Sequence, residues 1–224
     1  MSDLAGHVTP GGPVWRLELP GAVLDKLSVS EMDNNVYLLT CTATGERLLV
    51  DAADDAGRIM ELLTETGGDQ ELAQVLTTHR HWDHHRALAE VADRTGARTL
   101  AGADDADELP VRVDRRLQDG DAVMVGSLLL DVVALRGHTP GSVAVSLTAA
   151  GDVPQTVILT GDSLFPGGPG KTTSPKDFVS LVDDLEERIF GVYPDDALVL
   201  PGHGDNTTVG AERPHLDEWR QRGW

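Results

Sequence analysis

The amino-acid sequence predicts an α/β fold in which helices pack in layers against β-sheets. Short runs rich in Val, Leu and Ile alternate with segments whose apolar residues recur at helical spacing. Gly-containing turns follow several of the apolar runs, as is common where strands end. This order of elements is typical of layered α/β proteins. The 224 residues suit one hydrophobic core and no long linker divides them, so we expect a single domain over residues 1–224.

Local patterns place the first elements. Residues 1–13 are rich in Gly and Pro and are expected to form a mobile arm. Two β-rich runs, residues 36–40 and 47–51, flank Thr44-Gly45-Glu46 and predict a hairpin. Apolar residues that share one helical face then predict a helix over residues 55–66.

The next segment contains a strand, a helix and an acidic run. Residues 75–78 predict a short strand. A second helix is predicted from residue 84 or 85 to Thr95, because Gly96 follows at the position that ends many helices. Residues 104–108 hold four acids in five positions and are expected to form a solvated loop or helix end.

The second half repeats the pattern of an apolar strand followed by a turn. Residues 166–170 are a Pro/Gly-rich loop. Ser174 is predicted to cap a helix that has Pro175 in its first turn and ends near Gly191. The predicted strands of this half are residues 128–135, 143–147, 157–160 and 197–200.

Charge and composition exclude several classes of function. The chain has 37 acidic and 18 basic residues, a formal charge of −19, which argues against binding nucleic acid or an anionic membrane. One cysteine, Cys41, excludes an intramolecular disulfide. No secretory leader or run of 18 apolar residues is visible, so we expect a cytoplasmic protein.

Histidines are concentrated in one short segment. Four of the eight histidines lie in the seven residues His79-Arg80-His81-Trp82-Asp83-His84-His85. Neutral imidazole together with carboxylate is a ligand set that zinc and iron accept. The segment follows a predicted strand and leads into a predicted helix, so its side chains can reach one cavity from two directions. The cluster therefore predicts a metal site.

Three further candidate ligands stand in Gly-containing turns directly after predicted strands. They are His138 in Gly137-His138-Thr139, Asp162 in Thr160-Gly161-Asp162, and His203 in Gly202-His203-Gly204. Ligands in open α/β sheets gather outside the carboxyl ends of strands. We therefore expect these three side chains to join the histidine cluster.

These motifs together resemble the metallo-β-lactamase superfamily, specifically its glyoxalase II-like hydrolase branch. Four motifs occur between Thr78 and Gly204 in the same order as in the family. They are His-x-His-x-Asp-His, Gly-His-Thr-x-Gly-Ser, Thr-Gly-Asp-x-Leu-Phe and Gly-His. The resemblance implies a four-layer αββα sandwich that binds two divalent metal ions, zinc or alternatively iron or manganese. It implies a first metal held by His79, His81 and His138, a second by Asp83, His84 and His203, and Asp162 bridging both.

The resemblance also implies a function. The protein is expected to hydrolyse thiolesters of a small thiol carrier by a hydroxide that bridges the two metals. Asp83 is the candidate catalytic residue that orients this hydroxide or accepts its proton. Lys171 matches a lysine that binds the carrier's carboxylate in the family. The tyrosines that accompany that lysine are not matched, so the identity of the carrier stays open.

Alternatives remain at this point. The same metal pair suits a lactonase or another ester hydrolase. A persulfide dioxygenase would use one iron on His79, His138 and Asp162. Asp51, at the end of a predicted strand, either supports the metal site or caps the following helix. The acyl group, the native metal and the oligomeric state are not determined by the sequence.

Overall fold

The computed structural model describes residues 4–67, 71–151 and 155–223. Its strands form two large sheets and one two-stranded ribbon. The strands are β1 (Trp15–Leu19), β2 (Ala22–Val29), β3 (Asn34–Cys41), β4 (Arg47–Val50), β5 (Leu72–Thr77), β6 (Arg98–Gly102), β7 (Arg115–Leu117), β8 (Ala122–Val125), β9 (Leu128–Ala134), β10 (Val143–Ala149), β11 (Gln155–Gly161), β12 (Leu164–Phe165), β13 (Gly168–Pro169), β14 (Leu198–Pro201) and β15 (Thr207–Thr208).

Helices lie between and after these strands. They are α1 (Ala56–Gly67), α2 (Leu88–Thr95), α3 (Pro175–Asp184), α4 (Val209–Glu212) and α5 (Leu216–Arg222). Short 3₁₀ turns span Trp82–His84, Ala106–Glu108 and Arg213–His215, and a π-helical turn, Leu185–Phe190, extends α3. Within the described ranges no helix combines the length and apolarity needed to cross a bilayer.

The two large sheets have mixed strand directions. The first sheet has the order β1 to β7, antiparallel as far as β4 and parallel from β4 to β7. The second has the order β15-β14-β11-β10-β9-β8, in which only the β11/β14 pair is parallel. The parallel strands place several carboxyl ends at the same edge of the molecule.

Alternating side chains of the strands build three apolar layers. In β3, Tyr37 and Leu39 point between the sheets, while Val36 and Leu38 point outward toward α1 and α2. The outer face of the second sheet packs against α3 and α5, where Trp219 is 1% exposed. Because the strands are buried on both faces, their sequences are nearly continuous runs of apolar residues. The molecule is the expected αββα sandwich.

Most of the predicted elements are confirmed. The hairpin is the β3/β4 pair, and the helix predicted over residues 55–66 is α1. The four strands predicted in the second half are β9, β10, β11 and β14. Ser174 caps α3 by accepting a hydrogen bond from the backbone N–H of Asp177.

The second predicted helix begins later than expected. Residues 84 and 85 belong to a 3₁₀ turn and its end, and α2 starts only at Leu88. The backbone N–H groups of Arg86 and Ala87 donate to the carbonyls of Ala53 and Ala52, across the chain. These bonds join residues 86–87 to the turn after β4, and the 3₁₀ turn that precedes them leaves Asp83 and His84 buried.

Two other expectations are corrected. The acidic run is not solvated throughout, because Asp105 is completely buried. The loop at residues 166–170 contains a short antiparallel ribbon, since β13 pairs with β12.

The segment predicted as a mobile arm contacts the body of the molecule. Its residues 1–3 lie outside the described residues. The carbonyl of Ala5 accepts from the backbone N–H of Asn206 at 2.7 Å, and Val8 is 7% exposed. The carbonyl of Gly6 accepts from Lys26 Nζ at 2.9 Å. These contacts join Ala5 and Gly6 to Asn206 and to Lys26 of β2.

Lys26 generates a stability prediction. Its ammonium group is fully buried on β2 and donates to the carbonyls of Gly6 and Gly204 and to Asn206 Oδ1, all within 2.9 Å. Burial lowers the pKa of Lys26 to about 8. Lys26→Met leaves the carbonyl of Gly6 and Oδ1 of Asn206 without this donor, whereas the carbonyl of Gly204 keeps the hydrogen bond from Asn35 Nδ2. We therefore expect the free energy of unfolding in urea to fall by about 2 kcal/mol.

The matched control is Lys176→Met, since Lys176 is exposed at the start of α3. We expect this change to alter stability by less than about 0.5 kcal/mol. A Lys26→Met variant as stable as the wild type would contradict a stabilising role for the buried network.

Candidate metal centre

The candidate site lies at the edge of the sandwich where strands of both sheets end. The first sheet contributes the turns after β4 and β5, and the second contributes the turns after β9, β11 and β14. All seven candidate ligands predicted from the sequence stand in these turns. The structure brings all seven together.

The first group of donors is formed by His79, His81 and His138. His79 Nε2 lies 3.1 Å from His81 Nδ1 and 3.3 Å from His138 Nε2. His81 Nδ1 and His138 Nε2 are 2.8 Å apart. Three ring nitrogens therefore face one point.

A second group is formed by Asp83, His84 and His203. His84 Nε2 lies 3.1 Å from His203 Nε2 and 3.6 Å from Asp83 Oδ2. Asp83 Oδ2 is 3.3 Å from His203 Nε2. The 3₁₀ turn at residues 82–84 allows Asp83 and His84, neighbours in the chain, to point toward the same place.

Asp162 lies between the two groups. One of its carboxylate oxygens, Oδ1, is 3.3 Å from His84 Nε2, and the other, Oδ2, is 3.4 Å from His203 Nε2 and 3.7 Å from His138 Nε2. Oδ1 is buried and has no hydrogen-bond partner among the residues that the structure describes. A Cβ atom on Gly202 would lie 2.2 Å from this oxygen, so only glycine leaves room for the carboxylate at that position.

The donor set fits two divalent cations. Ring nitrogens that face one another at about 3 Å cannot all be satisfied by sharing protons, because a neutral imidazole has one donor and one acceptor. The unpartnered oxygen of Asp162 points into the same space. Imidazole and carboxylate are ligands for zinc, iron and manganese. The cluster is therefore suited to a dinuclear metal site.

Burial and charge set the protonation of the donors. Burial lowers the pKa of His79 well below its ordinary value, and it also lowers that of His138. For Asp162 burial favours the neutral form, but the adjacent His203 and His84 side chains hold its pKa well below the ordinary range. These are the protonation states in which the groups bind cations.

His84 behaves differently from His79. Burial opposes its charged form, but Asp51 and Asp162 outweigh that effect and raise the pKa of His84 to about 10. Without a metal, His84 is therefore protonated between two carboxylates. A metal ion that binds its Nε2 has to displace this proton.

Asp51 supports the site rather than a helix end. Its side chain accepts from the backbone N–H and the hydroxyl of Thr78, each at 2.8 Å, and lies 2.9 Å from His84 Nδ1. In the first turn of α1 it is instead the Asp55 side chain that accepts a hydrogen bond, from the backbone N–H of Arg58. Of the two roles considered from the sequence, contact with the candidate ligand His84 is the one observed.

Asn34 belongs to the site but was missed by sequence reasoning. Its Nδ2 donates to the carbonyl and to Oδ2 of Asp83, both at 3.1 Å, and its Oδ1 accepts from Ser30 at 2.6 Å. Asn34 starts β3, far in sequence from the histidine cluster. A single asparagine near a turn carries no signal that distinguishes this role from an ordinary turn residue.

Lys171 lies beside the cluster rather than in it. Its backbone carbonyl is 2.5 Å from His138 Nδ1, and its side chain is exposed. The residue therefore borders the first group of donors.

Comparisons with known proteins agree with this geometry. A family model described as the metallo-beta-lactamase superfamily matches residues 29–203. A hydroxyacylglutathione hydrolase of Cereibacter sphaeroides is 35% identical over 174 residues, which cover 76% of this chain and 62% of the relative. The chain thus spans about three fifths of the length of the curated relatives that it matches first.

Two solved structures are similar over most of the chain. The ETHE1 protein of Myxococcus xanthus is 31% identical with a TM-score of 0.73, covering 86% of this chain and 82% of its own. TTHA1623 in a di-iron-bound form is 26% identical with a TM-score of 0.67, and the match covers 84% of this chain and 96% of that protein.

Replacing Asp162 should affect both groups of donors. We expect Asp162→Ala to bind fewer than one metal ion per chain, because both groups lose the carboxylate that lies between them. Elemental analysis after dialysis measures the number of metal ions bound per chain. Asp93→Ala, which alters an exposed acid on α2, is expected to bind as many ions as the wild type. Two tightly bound ions in Asp162→Ala would contradict the shared role.

Proposed function

Because the chain belongs to the metallo-beta-lactamase superfamily, we propose that it is a metal-dependent hydrolase of thiolesters formed by a small thiol carrier. The observation that carries this proposal is the convergence of two donor groups on either side of Asp162. A relative named hydroxyacylglutathione hydrolase is 35% identical over most of this chain, which supports a thiolester as the substrate class.

In this proposal the chain binds two zinc ions, with iron or manganese as alternatives. His79, His81 and His138 would hold one ion, and Asp83, His84 and His203 would hold the other, with Asp162 shared. When bound, the ions supply Lewis acidity at the acyl carbonyl and activate water at neutral pH. Each group would leave room for water or substrate to bind the ion, as a catalytic site requires.

Asp83 is the proposed proton acceptor. Its carboxylate is fixed by Asn34 and lies 3.3 Å from His203 Nε2. In the metal-free protein burial alone would raise the pKa of Asp83, but the charge on His84 and the hydrogen bond from Asn34 lower it below its ordinary value. Asp83 is therefore ionised at neutral pH and able to orient water. A thiolate is a good leaving group, so the reaction needs no separate acid.

A cavity beside His138 is the proposed site for the thiol carrier. It has a volume of about 450 Å³ and is bordered by Pro169, Lys171, Phe178 and Arg222. Within the described part of the chain, the side chains of Lys171 and Arg222 have no carboxylate within 4 Å. In a protein of charge −19, two unpaired cations beside an apolar surface favour a carrier that bears a carboxylate.

A mononuclear iron dioxygenase that acts on a persulfide is the second candidate. His79, His138 and Asp162 form a two-histidine, one-carboxylate set, with His138 Nε2 at 3.3 Å from His79 Nε2 and 3.7 Å from Asp162 Oδ2. The complete second group, Asp83, His84 and His203, favours the hydrolase, because a single iron would leave it unused.

A substrate panel separates these functions. We expect turnover to be faster on an acyl thiolester than on a lactone, a carboxylic ester or a cephalosporin, with two metal ions found per chain. Oxygen consumption with a persulfide, one iron per chain and no hydrolysis would reject the hydrolase in favour of the dioxygenase.

Lys171→Ala tests the proposed carrier site. We expect KM for a carboxylate-bearing thiolester to rise roughly fivefold with little change in kcat, because the contact is made equally in the ground and transition states. The effect should shrink for a neutral thiolester of similar size. Lys176→Ala, which removes an exposed lysine five residues away, is the control. Equal kinetics for wild type and Lys171→Ala on the charged substrate would remove Lys171 from the carrier site.

A further inference from the structure

We propose that Asp105 is a positioning residue that joins the two loops carrying His81 and His138 and so sets the geometry of the first donor group. This inference rests on the proposed metal-dependent function. It concerns a residue from the acidic run of residues 104–108, which the sequence pattern predicts to be solvated. The structure instead buries the Asp105 side chain completely.

The two carboxylate oxygens of Asp105 bind different loops. Oδ2 accepts from the backbone N–H of Arg80 at 3.0 Å, and Arg80 stands between His79 and His81. Oδ1 accepts from the backbone N–H of Gly141 at 2.9 Å. The hydroxyl of Thr139, the residue after His138, donates a short hydrogen bond to Oδ2. One carboxylate therefore connects the turn after β5 to the turn after β9.

Packing leaves this carboxylate little freedom. A Cβ atom on Gly141 would lie 2.3 Å from the backbone nitrogen of Asp105, and one on Gly102 would lie 1.9 Å from the carbonyl oxygen of Gly141. The backbone of the segment after β6, which carries Asp105, thus approaches the His138 loop as closely as glycine permits. A shift of Asp105 has to move the His138 loop with it.

An asparagine cannot replace the carboxylate here. The backbone N–H groups of Arg80 and Gly141 donate to different oxygens, and an asparagine amide has only one oxygen. Its NH₂ group would face one of these N–H donors and leave that donor buried without an acceptor. The two loops can then no longer be held at the same time by one side chain.

The effect should be confined to the first donor group. Its ring nitrogens are 2.8–3.3 Å apart, so a small displacement of either loop disturbs their convergence. In the second group, His84 is fixed by Asp51 and Asp83 by Asn34. Among the described residues Asp105 contacts no member of that group. Loss of an outer hydrogen-bonding partner typically weakens metal binding about 10- to 100-fold.

The test compares Asp105→Asn with the wild type and with Asp25→Asn. Asp25 is a matched control, because it is also a buried acid, 1% exposed, and pairs with Arg16 on the edge of the first sheet. Metal binding is measured by titration with zinc against a competing chelator. We expect one of the two ions to bind at least about tenfold more weakly in Asp105→Asn, and neither to weaken in Asp25→Asn.

Amide hydrogen exchange of the metal-free proteins is the second measurement. We expect faster exchange in residues 79–81 and 138–142 of Asp105→Asn, with no change at residues 202–204. Wild-type zinc binding and loop exchange in this variant would overturn the proposal. So would equal weakening of both ions together with exchange that rises throughout the chain, because that result indicates only lost stability.

The conservative pair Thr139→Val and Thr139→Ser checks the third contact. Thr139→Val removes the hydroxyl that reaches Asp105 and should weaken binding of the same ion, whereas Thr139→Ser retains the hydroxyl and should bind that ion as the wild type does.

If faster loop exchange appears but the wild type binds no metal, Asp105 positions the loops and the proposed metal-dependent function fails. If the wild type binds two ions and Asp105→Asn is unaffected, the proposed function stands and the role of Asp105 fails.

Discussion

The burial of the Asp162 carboxylate among imidazole rings is the constraint on which the site depends. Three histidine nitrogens, belonging to His84, His138 and His203, lie within 3.7 Å of its oxygens. Buried polar groups are costly unless paired or bound to a metal, so the surrounding backbone is built to admit this arrangement. Gly202 leaves room for one oxygen of Asp162, and the backbone N–H of Gly202 donates to the carbonyl of Gly161, the residue before Asp162.

Backbone bonds between the sheets bring the donors to this carboxylate. The N–H of Val143, in the second sheet, donates to the carbonyl of Thr78, which directly follows β5 of the first sheet. On the other side of the site the N–H of Asn35 donates to the carbonyl of Gly202. The apolar layer between the sheets fixes the register of the strands. The positions of the strand ends, and hence of the histidines, follow from the core rather than from contacts among the histidines.

Buried polar residues behind the donors complete the geometry. Asp51 holds His84, Asn34 holds Asp83, and Asp105 accepts from the loops that carry His81 and His138. Each of the three side chains is no more than 2% exposed. Such outer partners fix the orientation of ligands before a metal binds. The site is therefore preorganised by residues whose own hydrogen bonds are largely satisfied within the fold.

The sequence alone marked the candidate donors, since a dense histidine cluster and three Gly-containing turns after apolar runs are visible locally. The resemblance to the family, rather than the local pattern, separated His85 from the candidate ligands. The sequence also determined α3, because Ser174 and Pro175 act within one helical turn. Only the tertiary structure decided the late start of α2 and the roles of Asn34 and Asp105. Those features depend on partners distant in the chain, such as Ala53 for Arg86, Asp83 for Asn34 and Gly141 for Asp105. A local pattern carries no record of a hydrogen bond formed only when distant segments of the chain pack together.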